Sequence, residues 1–136
     1  MPRILAIDYG GKRTGIAVTD PFQIIATGLT TVDTKDLWPF LKKYFVEETV
    51  EKVIIGMPTN WDDSATHATP LVQAFVKKFK KDYPTIPIVE VDERYTSTMA
   101  KQSMLESGMK KKDRRDKKNI DLIAATIILQ EYMQRM

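Results

Sequence analysis

The chain has 136 residues, 43% of them hydrophobic and 29% charged, with a formal net charge of +3; this fits a single domain, 1–136, with a core large enough to fold unaided. No apolar run approaches the ~20 residues of a membrane span, and the absence of cysteine excludes a disulfide framework and thiolate zinc sites. The chain opens directly on a strand with no charged and apolar leader, which points to a cytoplasmic protein.

Arg3 to Asp8 reads as the first strand. Gly10, Gly11 and Gly15 punctuate a tight turn around Lys12 and Arg13. Ile16-Ala17-Val18-Thr19 reads as a second strand and Ile24 to Thr31 as a third, separated by Asp20-Pro21. Three consecutive strands with short turns predict an antiparallel meander. Leu37, Phe40, Leu41, Tyr44 and Phe45 fall on one face of a helix. Pro39 must then lie in its first turn, with Thr34 or Asp36 as the N-cap. Val53-Ile54-Ile55-Gly56 is a continuous apolar strand suited to a central parallel position. Residues 59–69 are polar and irregular, and a loop of that length is often functional. Pro70 opens a helix carrying Leu71, Phe75 and Phe79 that ends near Tyr83. Ile86 to Val91 is the last strand. A helix over 97–107 stops at Gly108, and a final helix carries Ile120, Ile123, Ala124, Ile127, Ile128 and Met133. The order βββ-α-β-α-β-α predicts an α/β fold, a mixed sheet with helices on both faces.

Three acids stand at chemically costly places. Asp8 ends the first strand, Glu93 follows the last strand, and Asp121 sits between Ile120 and Leu122 on a mostly apolar helix. A carboxylate beside a buried element needs a hydrogen bond, an ionic partner or a metal. Carboxylates without thiolate or histidine clusters suit Mg²⁺ or Mn²⁺, which take oxygen ligands. A helix acid such as Asp121 is also satisfied by a base one turn earlier, here Lys117.

The basic residues are unevenly placed. The run Lys110, Lys111, Lys112, Asp113, Arg114, Arg115, Asp116, Lys117, Lys118 has seven bases and two acids, a local +5, against +3 for the whole chain. The rest therefore sums to −2. Such a patch is the footprint of a polyanion, unless it is simply a solvated loop. Lys12 and Arg13 add charge to the glycine turn, where backbone amides can approach a phosphate. His67 could shuttle protons and Trp61 could stack on a base, but both also suit a loop without a role. Met99, Met104 and Met109 read as packing residues.

Together these segments resemble the YqgF family, bacterial proteins of ribonuclease-H-like fold described as Holliday junction resolvases or pre-16S rRNA nucleases. The matching pieces are Asp8-Tyr9-Gly10-Gly11-Lys12-Arg13-Thr14-Gly15-Ile16-Ala17, Ile55-Gly56-Met57-Pro58, Asp92-Glu93-Arg94-Tyr95-Thr96-Ser97 and Ile120-Asp121-Leu122-Ile123-Ala124-Ala125. The resemblance implies a five-stranded mixed sheet, three antiparallel strands then two parallel, flanked by helices. It implies that Asp8, Glu93 and Asp121 are catalytic acids binding Mg²⁺ or Mn²⁺; ribonuclease-H-like nucleases often use four carboxylates, and Asp92 and Asp116 are the candidates for the fourth. The implied activity is metal-dependent phosphodiester hydrolysis, trimming the 5′ end of pre-16S rRNA in ribosomal precursor particles. Lys12, Arg13, Lys110, Lys111, Lys112, Arg114, Arg115, Lys117 and Lys118 would hold substrate phosphates. Structured RNA and branched DNA are the expected partners, with no membrane contact, for a monomer or weak dimer. The alternatives are a four-way DNA junction resolvase and a non-catalytic RNA- or ribosome-binding protein. The Asp-x-Gly-Gly turn also resembles the phosphate loop of sugar kinases and actin-like ATPases, but those need a second domain that 136 residues cannot supply.

Overall fold

The computed structural model describes residues 2–57, 69–92 and 117–134. Five strands, β1 (Arg3–Asp8), β2 (Arg13–Thr19), β3 (Ala26–Asp33), β4 (Val50–Met57) and β5 (Ile88–Asp92), form one sheet. Their spatial order is β3-β2-β1-β4-β5. β1–β2 and β2–β3 pair antiparallel, whereas β1–β4 and β4–β5 pair parallel. This is the predicted meander followed by two parallel strands. The connections explain the change of direction: short turns join β1, β2 and β3, while helical crossovers precede β4 and β5.

Alternation along β1 assigns the two faces. Leu5 and Ile7 join one buried cluster, and Ile4 and Ala6 the other. The first cluster is covered by α1 (Leu37–Glu47) and α2 (Thr69–Asp82), through Leu37, Leu41, Val72, Phe75, Val76 and Phe79. The second is covered by α3 (Lys117–Gln134), through Ala125, Ile128 and Leu129. Among the described residues the layers are therefore two helices, the sheet, and one helix. Aromatic rings fill the first interface. Phe79 is fully buried and its ring lies 6.1 Å from Phe45, 6.2 Å from Phe75 and 5.2 Å from Tyr83.

Several details differ from the sequence reading. β3 runs Ala26–Asp33 rather than Ile24 to Thr31, leaving Ile24 and Ile25 exposed before it, and β5 runs Ile88–Asp92 rather than Ile86 to Val91. β2 begins at Arg13, so Gly15 lies inside a strand rather than in the preceding turn. β4 begins at Val50, because its first residue pairs with Arg3 at the start of β1. α1 starts where Pro39 requires, but Asp36 at its N-cap makes no side-chain capping bond. Thr34 does not cap either. It lies in a 3₁₀ turn, Thr34–Asp36, and its hydroxyl donates to the Gly10 carbonyl.

The predicted helix over 97–107, the three methionines Met99, Met104 and Met109, and the loop residues Trp61 and His67 lie outside the described residues.

Candidate functional site

Asp8 is the last residue of β1 and the ladder partner of Gly15. It is in phase with Ile4 and Ala6, so it belongs to the sheet face under α3. Gly15 is in turn the partner of Thr31 on β3. The rung Asp8–Gly15–Thr31 runs beneath the first turns of α3. The Thr31 hydroxyl donates to the Lys118 carbonyl at 2.8 Å. A Cβ added to Gly15 would overlap the Asp121 carbonyl oxygen, with the Leu122 nitrogen 3.2 Å away. The helix backbone thus rests directly on a strand backbone, which only glycine permits there. That contact brings Asp121 over the ladder partner of Asp8.

A second contact fixes the Asp121 side chain. Arg13 has the same phase on β2 as Gly15, and its Nε donates to Asp121 Oδ2 at 3.1 Å. The two side chains are 23% and 22% exposed, so the pair is partly shielded from water. The sequence offers Arg13 as a phosphate ligand and Lys117, one turn earlier, as a partner of Asp121; the Lys117 side chain lies outside the described ones, and the structure shows an ion pair of Asp121 with Arg13, 108 residues away in the chain. No local spacing rule reaches across such a distance.

Asp92, the residue before the third acid, ends β5 on the other side of β1 from β2. Ile7 of β1 pairs with Ile55 of β4, and Met57, two residues on, pairs with Asp92 of β5. β1, β4 and β5 run parallel, so Asp8 and Asp92 end their strands at the same edge of the sheet. Glu93 follows Asp92 directly but lies outside the described residues, as do Lys110, Lys111, Lys112, Arg114, Arg115 and Asp116. Lys117 and Lys118 open α3 at this same edge, with Lys118 exposed.

The glycine turn between β1 and β2 is held by Thr34. Its amide donates to the Lys12 carbonyl at 3.0 Å, its hydroxyl reaches the Gly10 carbonyl, and the Thr14 hydroxyl lies 2.9 Å from it. Gly10 is required for space, since a Cβ would overlap the Arg13 carbonyl oxygen, and neither Gly10, Gly11 nor Gly15 takes a positive φ. Lys12 is exposed at the tip and lines a cleft of about 330 Å³ with Gly11, Asp33 and Lys35. Tyr9, one residue after Asp8, packs 5.3 Å from the Phe75 ring on the opposite face, and burial raises its phenol above the ordinary value. It therefore stays neutral across physiological pH.

A larger hollow of about 690 Å³ lies at the other end of β3, between Gln23, Ile24, Ile25, Ala26, Gln130, Met133 and Gln134. None of these side chains ionises, whereas Lys12, Asp33 and Lys35 line the smaller cleft. Among the described residues no three acids or histidines form a metal-sized group.

Comparison with known proteins decides the family. The description "RuvX: Holliday junction resolvase" matches residues 2–135. The chain belongs to the RuvX family. A RuvX relative from Flavobacterium psychrophilum, named "Putative pre-16S rRNA nuclease", is 53% identical over 135 residues, covering 99% of this chain and 98% of its own length. Relatives of the same name from Christiangramia forsetii and Bacteroides thetaiotaomicron are 53% and 51% identical, each over 98% of this chain and 98% and 97% of their own lengths. Among solved structures, the fowlpox virus resolvase with Holliday junction DNA superposes with a TM-score of 0.60 at 12% identity, covering 98% of this chain and 97% of its own. Thermus thermophilus RuvC with a Holliday junction substrate gives 0.56 at 16% identity, over 100% and 96%. At such identities these structures establish the fold, which is ribonuclease-H-like as the sequence resemblance implied. No helix of the described RuvX chain is long and apolar enough to cross a membrane.

Proposed function

We propose that this chain is a divalent-metal-dependent nuclease that hydrolyses phosphodiester bonds in the 5′ leader of pre-16S rRNA. The observation that carries the reading is the seating of Asp121 on Gly15, which brings a second carboxylate over the rung that holds Asp8. Two acids at one sheet edge, with Glu93 the next residue in sequence after β5, are an oxygen donor set suited to a hard divalent cation. Asp8, Glu93 and Asp121 would hold Mg²⁺ or Mn²⁺. When bound, the ion lowers the pKa of an attacking water and offsets charge on the departing oxygen.

The chain's own residues do the rest. The Gly15 seat fixes the acids relative to one another before substrate arrives, so little reorganisation is needed. Lys12 at the exposed tip, Lys118 at the start of α3 and the bases of 110–117 hold substrate phosphates. Phosphate contacts position a nucleic acid without reading its sequence.

The family description and the junction-bound neighbours favour a second reading, cleavage of four-way DNA junctions. One experiment separates the two. Purified protein is incubated with Mn²⁺ and either a pre-16S 5′-leader RNA or a four-way DNA junction, beside the Asp8→Asn variant. RNA cleavage that the variant loses, with binding retained, supports the proposal. Junction cleavage alone selects the second reading, and an Asp8→Asn variant as fast as wild type refutes the site.

A further inference from the structure

The ion pair between Arg13 and Asp121 has a consequence for metal binding. Arg13 opens β2, where its backbone pairs with Asp33 of β3, and from Gly15 onward the strand is paired on both sides, by β1 and β3. Its guanidinium lies against Asp121, the acid that α3 presents over the site. Gly15, two residues along the same strand, holds the backbone of that acid in contact with the sheet. The strand that carries the guanidinium and the helix that carries the acid therefore meet backbone to backbone two residues from the pair, on the rung that holds Asp8.

We propose that Arg13 is a positioning residue that serves as the resident cation of Asp121, and that a divalent ion binds by displacing it. The inference rests on the nuclease reading above. Without a metal, acids gathered at one edge repel each other, and a fixed positive charge on one of them relieves that repulsion. A guanidinium suits the task because it stays charged at every working pH and its planar donors match a carboxylate. Once a doubly charged ion approaches the same carboxylates, the guanidinium becomes a like charge beside it. The protein thus holds Asp121 ready for metal while lowering the affinity of the free enzyme for it. Linkage makes the effect reciprocal: anything that draws Arg13 off Asp121, such as a substrate phosphate, tightens metal binding by the same factor.

The test is calorimetric titration of Mn²⁺ alone into wild type, Arg13→Gln and Arg13→Lys. Arg13→Gln should bind Mn²⁺ about tenfold tighter, the scale of a typical coupling between contacting groups. Arg13→Lys keeps the charge and should restore affinity toward that of wild type. A residue that merely orients Asp121 would give the opposite sign, so unchanged or weaker binding in Arg13→Gln overturns the proposal. A second measurement needs no variant. The Nε–H resonance of Arg13 in wild type should move and exchange faster when Mg²⁺ saturates the protein, and a resonance that Mg²⁺ leaves unchanged overturns displacement. Wild type that binds no Mn²⁺ sinks the nuclease reading and this inference together. An Asp8→Asn variant that loses cleavage, beside an Arg13→Gln variant with wild-type Mn²⁺ affinity, sinks only the inference.

Discussion

Gly15→Ala is the sharpest test of the architecture, because a single methyl group strikes a backbone that cannot rotate away. The added Cβ would overlap the carbonyl oxygen of Asp121 and crowd the Leu122 nitrogen at 3.2 Å. Either α3 lifts from β2 or the β1–β2–β3 ladder bends. Overpacking a well-filled interior costs about 1–3 kcal/mol, and a backbone-on-backbone clash belongs at the upper end. At roughly 3–4 °C per kcal/mol for a chain of this size, the melting midpoint falls by about 10 °C. The other glycines grade the effect. At Gly28 the Cβ would meet the Leu122 side chain at 2.8 and 2.9 Å and Thr126 Oγ1 at 3.1 Å. Those atoms can rotate aside, so Gly28→Ala costs about 1–2 kcal/mol. At Gly11 the nearest atom is Leu71 Cδ1 at 3.6 Å, an ordinary contact, and Gly11→Ala stays within about 0.5 kcal/mol of wild type. Melts followed by circular dichroism, with cleavage assayed at a temperature where all variants are folded, read both consequences. Gly15→Ala should lose activity because Asp121 moves relative to Asp8. A Gly15→Ala variant that melts and cleaves like wild type, or a Gly11→Ala variant equally damaged, would refute the reasoning.

Three further outcomes follow from the same geometry. Lys12→Ala should weaken binding to RNA and junction DNA alike and reduce the slope of log K against log salt by about 1, measured by fluorescence anisotropy. Phe79→Ala empties a fully buried ring site and should cost about 3–5 kcal/mol in urea unfolding. Asp20 accepts amide hydrogen bonds from Phe22, Ile24 and Ile25 at 3.1, 2.7 and 2.7 Å, and these, that of Ile25 foremost, hold its carboxyl below the ordinary value. A depressed folded pKa stabilises above the unfolded pKa, and the benefit is lost as pH falls through the folded pKa. The stability gap between wild type and Asp20→Ala should therefore close as the pH is lowered through that range, in urea midpoints measured against pH.

Much of the fold is written in short-range pattern. Alternation in Arg3–Asp8 and the apolar run at Val53–Gly56 marked β1 and β4, and the spacing from Leu37 to Phe45 marked α1 with Pro39 in its first turn. Such signals need only neighbouring residues, because strand pleat and helix pitch repeat every few positions. The acids Asp8 and Asp121 were also legible, since a charge at an apolar element end or on an apolar helix demands a partner. Periodicity could not choose the buried face of α3. Its apolar residues run nearly all round, and the structure buries Ala124, Ala125, Ile128 and Leu129 while Ile123 and Ile127 stay partly exposed. The buried face is the one that packs Ala125, Ile128 and Leu129 against Ile4, Ala6, Ala17 and Ile54 of the sheet. Tertiary structure alone decided that contact, the Arg13–Asp121 pair and the Thr34 clamp on the glycine turn. Each joins residues remote in sequence through a rung or a face. Only chain closure sets such distances, so no local composition encodes them.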